Sequence, residues 1–311
     1  MLQHKHLIDI DEYSADEIVE ILDTARSFKE VNDRAIKKLP TLRGRTIINL
    51  FLEPSTRTRT SFEIAGKRLS GDVINFSASS SSTTKGETLA DTAETLDAMN
   101  CDLIVVRSKQ EGAPRILTQH MDAHVVNGGD GKHPHPTQAL LDAFTIRETL
   151  GHIDGLKVGI VGDIAHSRVV GSLVPLLKIM GAEPIVIGPP TLMPARPDIL
   201  GARCSNTLDD VLPELDVVYM LRIQKERLES AALPSLREYA MLYGINLARM
   251  DAMKDEAIIM HPGPINRGVE LSADAADSDR AVILDQVNSG VAVRMAVMYL
   301  LLGGEGNGAA A

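Results

Sequence analysis

The sequence predicts an α/β protein built from two doubly wound parallel-sheet domains joined by long helices, the C-terminal helix returning to the first domain. Three observations lead there. Short β-branched runs alternate with stretches of helical apolar spacing, the pattern of parallel sheets with covered faces. The series restarts after Gly151. At 311 residues, the chain is long enough for two cores of ordinary size.

The elements follow in order. Residues 18–31 carry an amphipathic helix whose start is acidified by Asp16. Residues 46–52, Thr-Ile-Ile-Asn-Leu-Phe-Leu, read as a buried strand, and Glu53-Pro54 ends it. A helix follows over 57–69, with Phe62, Ile64, Ala65 and Leu69 on its apolar face. A short strand at 72–76 leads into the Ser-rich stretch 77–87, which breaks all periodicity, and Gly86-Glu87-Thr88 opens a helix containing Leu89 and Ala93. Strands recur at 103–106 and 125–127, and a helix at 137–150 leads into the second series. That series has strands at 157–161, 184–187, 217–221 and 257–260, with a helix at 169–180 after the first. The last helix, 289–302, is apolar nearly all round and is therefore expected to be buried. The expected domains are 1–138 with helix 288–303, and 151–287. Residues 304–311, all Gly, Ala, Asn and Glu, read as a frayed, flexible tail.

Composition narrows the function classes. A formal charge of −10 argues against broad nucleic-acid binding. No apolar stretch approaches bilayer length, and the start Met1-Leu2-Gln3-His4-Lys5-His6 has no signal-peptide core, so no membrane association and a cytoplasmic location are expected. Two cysteines, Cys101 and Cys204, are too few for a disulfide framework or a Cys-rich metal site, and both read as small buried residues. His133 and His135 lack the further ligands a metal would need, so no metal and no cofactor are expected. The chain contains no G-x-x-x-x-G-K-[ST] loop, no full dinucleotide glycine pattern and no G-x-S-x-G elbow.

The chemistry-bearing residues gather where strands end, which is where open α/β sheets bind ligands. After 46–52 comes Ser55-Thr56-Arg57-Thr58-Arg59. A helix N-terminus has unpaired N–H groups and a partial positive charge, so arginines there have the wrong sign unless an anion fills the turn. Hydroxyls, free N–H groups and guanidinium forks together describe a phosphate cradle. In isolation such a pentapeptide is more often a solvated helix start. The other strand ends change the weighing. Arg107 follows 103–106, Gly128 through Gln138 follows 125–127, and Gly162 through Arg168 follows 157–161. Arg222-Ile223-Gln224-Lys225-Glu226-Arg227 follows 217–221, and His261-Pro262-Gly263-Pro264 follows 257–260. Four of these six places carry an arginine in an acidic protein, which points to multiply charged anionic ligands. The Ser-rich stretch ending in Lys85 reads equally as a linker or as an active-site lid.

Taken together, these motifs resemble the transcarbamoylase superfamily over essentially the whole chain, and more narrowly the aspartate carbamoyltransferase catalytic chains. Ser55-Thr56-Arg57-Thr58-Arg59 is similar to the family's carbamoyl-phosphate signature, and His135-Pro136-Thr137-Gln138 to its second block. Arg222-Ile223-Gln224-Lys225-Glu226-Arg227 resembles the aspartate-binding loop, whereas ornithine enzymes would show Asp, a Ser-Met-Gly element and His-Cys-Leu-Pro. Charge agrees independently: Arg168 and Arg222 suit a dicarboxylate amine. The resemblance implies transfer of a carbamoyl group from carbamoyl phosphate to L-aspartate in pyrimidine (UMP) biosynthesis. By matched position it implies that Ser55, Thr56, Arg57 and Thr58 hold the phosphate, and that Thr58, Arg107 and His135 address the carbonyl oxygen. Gln138 with Gly263-Pro264 would hold the carbamoyl NH₂, and Arg168, Arg222 and Gln224 the aspartate carboxylates. Ser81 and Lys85 would complete a neighbouring protomer's site in a homotrimer with shared active sites. The segment His261-Pro262-Gly263-Pro264-Ile265-Asn266-Arg267-Gly268 resembles members that work without a zinc-bearing regulatory chain, some of which pair with dihydroorotase or a related inactive chain. Transfer to another amine, a non-catalytic assembly subunit and a dinucleotide-binding dehydrogenase are the competing readings.

Overall fold

The structure is a computed structural model, and it describes residues 2–32, 34–77, 87–132, 134–223 and 235–303. These fall into two compact units, one formed by residues up to Phe144 with those from Asn288 onward, the other by Thr145–Val287. Among the described residues no helix is long and apolar enough to cross a membrane.

The first unit opens with α1 (Ala15–Asn32), where the Ser14 hydroxyl and N–H both donate to Glu17 and hold the helix start. Next come β1 (Thr46–Phe51), α2 (Thr56–Arg68), β2 (Asp72–Ser77), α3 (Leu89–Asp97), β3 (Leu103–Ser108), α4 (Ala113–His120) and β4 (His124–Asp130). Thr88 caps α3 reciprocally with Asp91. The long helix α5 (Pro136–Leu150) runs from the first unit into the second. The four strands are all parallel in the order β2-β1-β3-β4. Ile48, Leu50, Ile104, Val106 and Val125 pack with Leu96 and Leu117 from the flanking helices. Each such side chain, fully buried, contributes roughly 1.5–3 kcal/mol.

The second unit holds β5 (Lys157–Val161), α6 (Arg168–Ile179), β6 (Glu183–Ile187), β7 (Arg203–Ser205), β8 (Val217–Met220), α7 (Leu236–Tyr243), α8 (Leu247–Ala252), β9 (Ile258–Met260) and α9 (Ala273–Ala276). The last helix, α10 (Ile283–Leu302), begins in this unit and ends in the first. Its five strands are parallel in the order β7-β6-β5-β8-β9. Val161, Ile185, Ile187, Leu215, Val218 and Met220 form the core beneath Tyr239 and Tyr243. In each sheet the chain winds one way from the first strand and then the other. That places the reversal between β1 and β3 in one sheet and between β5 and β8 in the other.

The structure corrects several expectations. Strand β4 does not stop at Asn127 but runs on to Asp130, across a register shift between Val106 and Ser108 of β3. Helix α10 starts at Ile283, and it is buried from Ala292 through Met298 while Leu284, Val287 and Tyr299 are exposed. Cys101 is buried, but Cys204 is exposed, because it lies on β7, a three-residue strand at the sheet edge. Helix α4, strand β7 and helices α7, α8 and α9 were not expected. They are three to eight residues long, too short for a periodic signal. The Ser235-x-x-Glu238 cap at the start of α7 is the one local signature that marks its helix.

Candidate active site

In the first unit, β1 ends at Phe51 and α2 begins at Thr56, with Ser55 as its N-cap in extended conformation. The Ser55 side chain makes no capping bond, and the first turn contains no acidic residue. The turn therefore presents helix N–H groups, the Ser55 hydroxyl, an exposed Arg57 and a buried Thr58, all without the negative charge that ordinarily stabilises a helix start. On the neighbouring strand, Arg107 pairs in register with Phe51, and its N–H groups reach Glu53, Gly128 and Thr58. Nε donates to Glu53 Oε1 at 2.6 Å, and Nη1 to Gly128 O at 3.0 Å and Thr58 Oγ1 at 3.5 Å. The side chains of Arg107 and Glu53 are 15 % and 8 % exposed, so this ion pair is largely desolvated. Glu53 thus fixes one edge of the guanidinium and directs the other toward Thr58.

Asn127 organises the next corner. Its buried amide donates to Ile8 O and Pro134 O and accepts from Gly129 N–H, tying the end of β4 to the segment that enters α5. Buried His135 immediately precedes α5, its carbonyl accepting from Gln138 N and Ala139 N. Gln138 Nε2 donates to buried Asp142 Oδ1 one turn on, at 3.1 Å. From α10, buried Arg294 donates to Ser61 Oγ of α2 at 2.7 Å and lies over the Phe62 ring. Burial, and then the nearby Arg107 charge, push its guanidinium down to about 9.

In the second unit, β5 is followed by Gly162, whose φ of +137° and whose close approach to Leu221 leave no room for a side chain. Asp163 follows, buried, and accepts from His166 Nδ1 at 2.8 Å. Half-buried Arg168 opens α6, again with no acidic residue in the first turn. At the end of the adjacent β8 lie half-buried Arg222 and buried Ile223. Glu270, fully buried, holds that loop from below. Its Oε1 accepts from Ile223 N at 2.7 Å and from Asn266 Nδ2 at 2.7 Å, and its Oε2 accepts from Asn266 N at 2.7 Å. Asn266 Nδ2 also donates to Ile223 O. After β9, His261 Nδ1 accepts from Gly263 N, which leaves its proton on Nε2, 3.9 Å from Glu270 Oε2. Gly263-Pro264, the carbamoyl-NH₂ candidates, form a cis peptide bond beginning two residues after this histidine.

Of the residues singled out in the sequence, Ser55, Thr56, Arg57, Thr58, Arg107, His135 and Gln138 lie in the first unit, while Arg168, Arg222, Gly263 and Pro264 lie in the second. Ser81, Lys85, His133 and Gln224 lie outside the described residues. Sequence reasoning missed Glu53, Asn127, Asp142, Glu270 and Arg294. A carboxylate ending a strand beside an arginine-bearing one was the only available hint, and it applied to Glu53 alone.

Residues 5–148 match the family description "Aspartate/ornithine carbamoyltransferase, carbamoyl-P binding domain", and residues 154–301 match "Aspartate/ornithine carbamoyltransferase, Asp/Orn binding domain". The aspartate carbamoyltransferase catalytic subunit of Syntrophotalea carbinolica is 57% identical over 302 residues, covering 97% of this chain and 96% of its own. That of Thermobifida fusca is 56% identical over 300 residues, covering 96% of each. Among solved structures, the catalytic subunit of M. Jannaschii aspartate transcarbamoylase superposes with a TM-score of 0.85 at 37% identity, covering 98% of this chain and 100% of that one. Trypanosoma cruzi aspartate transcarbamoylase in complex with N-(phosphonacetyl)-L-aspartic acid superposes with a TM-score of 0.86 at 36% identity, covering 94% of each. With both domain descriptions matched in order and relatives this similar over nearly the whole length, the chain belongs to the aspartate/ornithine carbamoyltransferase family.

Proposed function

We infer that this chain is an aspartate carbamoyltransferase. It transfers the carbamoyl group of carbamoyl phosphate to the amino group of L-aspartate, giving N-carbamoyl-L-aspartate and phosphate, a step of pyrimidine biosynthesis. One observation carries the reading: the first turn of α2, which bears arginine and no acidic residue, adjoins Arg107 on β3 where the strand order reverses, and Arg107 reaches Thr58 of that turn. The names of the relatives supply the acceptor, since they are aspartate carbamoyltransferase catalytic subunits. The Trypanosoma cruzi enzyme has been solved with carbamoyl phosphate and aspartate and with carbamoyl aspartate and phosphate.

In this reading Ser55, Thr56, Arg57 and Thr58 bind the phosphate. The aspartate amine attacks the carbamoyl carbon, the carbonyl oxygen takes up negative charge, and the C–O bond to phosphate breaks. Thr58 and Arg107 Nη1, 3.5 Å apart, both address that oxygen. His135 donates a third hydrogen bond as a neutral imidazole. Such fixed donors act where charge develops and together form an oxyanion hole. Gln138 and Gly263-Pro264 hold the carbamoyl NH₂, and Arg168, Arg222 and Gln224 the two carboxylates. The departing phosphate takes the amine's proton. Supported by the family resemblance of the Ser-rich stretch, we assign Ser81 and Lys85 to a neighbouring protomer's site in a homotrimer. Supported by the segment following His261, we extend the assembly to a dihydroorotase or a related inactive chain. A cytoplasmic location is consistent with the composition.

The test is a split in kinetic constants. Arg57→Ala lowers kcat and weakens carbamoyl phosphate, while Arg222→Ala chiefly raises the aspartate KM. An aspartate dependence untouched by Arg222→Ala contradicts the acceptor assignment.

A further inference from the structure

We propose that Glu270 is a positioning residue for the amine acceptor. It acts through the backbone of Ile223 to set Arg222, and so the preference for a dicarboxylate amine. The proposal rests on the reading of Arg222 given above.

The peptide joining Arg222 to Ile223 is clamped from one side by a fully buried carboxylate, which accepts its N–H at 2.7 Å. Asn266 clamps the other side of Ile223 by donating to its carbonyl, and Glu270 in turn accepts from both the side chain and the backbone N–H of Asn266. The orientation of the Arg222 peptide plane is therefore dictated by one anion that never faces solvent. A buried carboxylate is expensive unless several donors converge on it. Here the donors come from two loops that follow β8 and β9, adjacent strands of one sheet. The arrangement fixes a backbone, and a fixed backbone is what a bidentate arginine grip on a carboxylate requires.

Glutamine at 270 is nearly isosteric but has a single oxygen. Oε1 and Oε2 of Glu270 each accept from a backbone N–H, so either orientation of the amide sets an NH₂ against a backbone donor. Losing one buried bond in this way predicts an aspartate KM raised about 10-fold in Glu270→Gln. The carbamoyl phosphate KM is expected to change less than the aspartate KM, because its phosphate is bound in the first unit and only the Gly263-Pro264 contact to its NH₂ lies near Glu270 in sequence. Asn266→Ala, which removes both side-chain bonds while keeping the anion, moves the aspartate KM the same way and serves where Glu270→Gln fails to fold.

The deciding experiment is a double-mutant cycle on the full chain, read as aspartate KM, with melting temperature and carbamoyl phosphate KM as checks on integrity. If Glu270 acts through Arg222, the Glu270→Gln/Arg222→Ala double variant is no worse for aspartate than Arg222→Ala alone. Additive effects, or an aspartate KM unchanged in both Glu270→Gln and Asn266→Ala while Arg222→Ala raises it, overturn the proposal. If Arg222→Ala itself leaves the aspartate KM unchanged, the acceptor reading fails first, and this inference falls with it.

Discussion

Glu53→Gln isolates what the desolvated ion pair does for Arg107. The carboxylate sits 2.6 Å from Nε, and neither side chain is more than 15 % exposed. Glutamine keeps an oxygen acceptor in place and removes the charge. A hydrogen bond between charged groups contributes roughly 1.5–3 kcal/mol and a neutral one roughly 0.5–1.5, so the substitution costs about 1–1.5 kcal/mol of stability. In a unit of this size that lowers the melting temperature by about 3–5 °C. The larger effect is on turnover. With the Nε edge loosened, Nη1 no longer holds its place between Gly128 O and Thr58 Oγ1, and one donor to the developing oxyanion is misaimed. Complete loss of such a donor costs about 10²–10³ in rate, so a misaimed one costs about 10-fold. Arg107→Lys, which cannot reproduce the fork, reaches the full range. The assay is steady-state phosphate release with both substrates saturating, alongside thermal melting. A Glu53→Gln enzyme with wild-type kcat and a lowered melting temperature refutes the aiming role and leaves the pair a purely structural one. An Arg107→Lys enzyme with wild-type kcat refutes the assignment of Arg107 altogether.

Other consequences are equally open to measurement. His135→Ala lowers kcat by about 10²–10³ without abolishing it. Complete loss with intact substrate binding, measured by calorimetry, would require a larger role for the imidazole. Gly244→Ala places a Cβ 2.6 Å from Val269 O and 2.7 Å from Ala240 O, both backbone atoms that cannot swing away, and destabilises the second unit by about 3 kcal/mol in a denaturant titration. A change below about 0.5 kcal/mol would mean that this crossing is looser than the structure shows. His6 is held down to about 4 by burial and then by Lys5 and His124, and its neutral Nδ1 accepts from Val125 N–H. Because its folded value lies below the ordinary 6.5, the unfolded chain takes up the proton first, and stability is lost as pH falls from about 6.5 to about 4. His6→Asn, which keeps an acceptor and removes the titration, flattens melting temperature against pH across that window. An unchanged slope would assign the acid loss to other groups.

The α/β class was legible because its signals are local. Residues 46–52 and 157–161 are β-branched runs followed at once by polar turns, and strand ends in such sheets are where ligands bind. The turn at Ser55 to Arg59 announced itself by carrying cations where a helix start disfavours them. What stayed hidden depends on contacts distant in sequence. Glu53 meets Arg107 across 54 residues, Glu270 meets Ile223 across 47, and Arg294 meets Ser61 across 233. No period or short motif encodes such pairs. The short elements were hidden for the opposite reason. Strand β7 has three residues and α9 four, too few to repeat either the strand or the helix pattern twice. The exposed Cys204 belongs with them, since its environment follows from an edge strand that leaves no sequence signature.

The most direct measurement supplies the purified chain with carbamoyl phosphate labelled with ¹³C in its carbamoyl carbon and follows the label by NMR, with L-aspartate and L-ornithine in separate reactions. The account predicts that the label moves to the amino nitrogen of aspartate, with one phosphate released per transfer, and that ornithine remains unlabelled. Label appearing on ornithine, or phosphate released without label reaching aspartate, would contradict it.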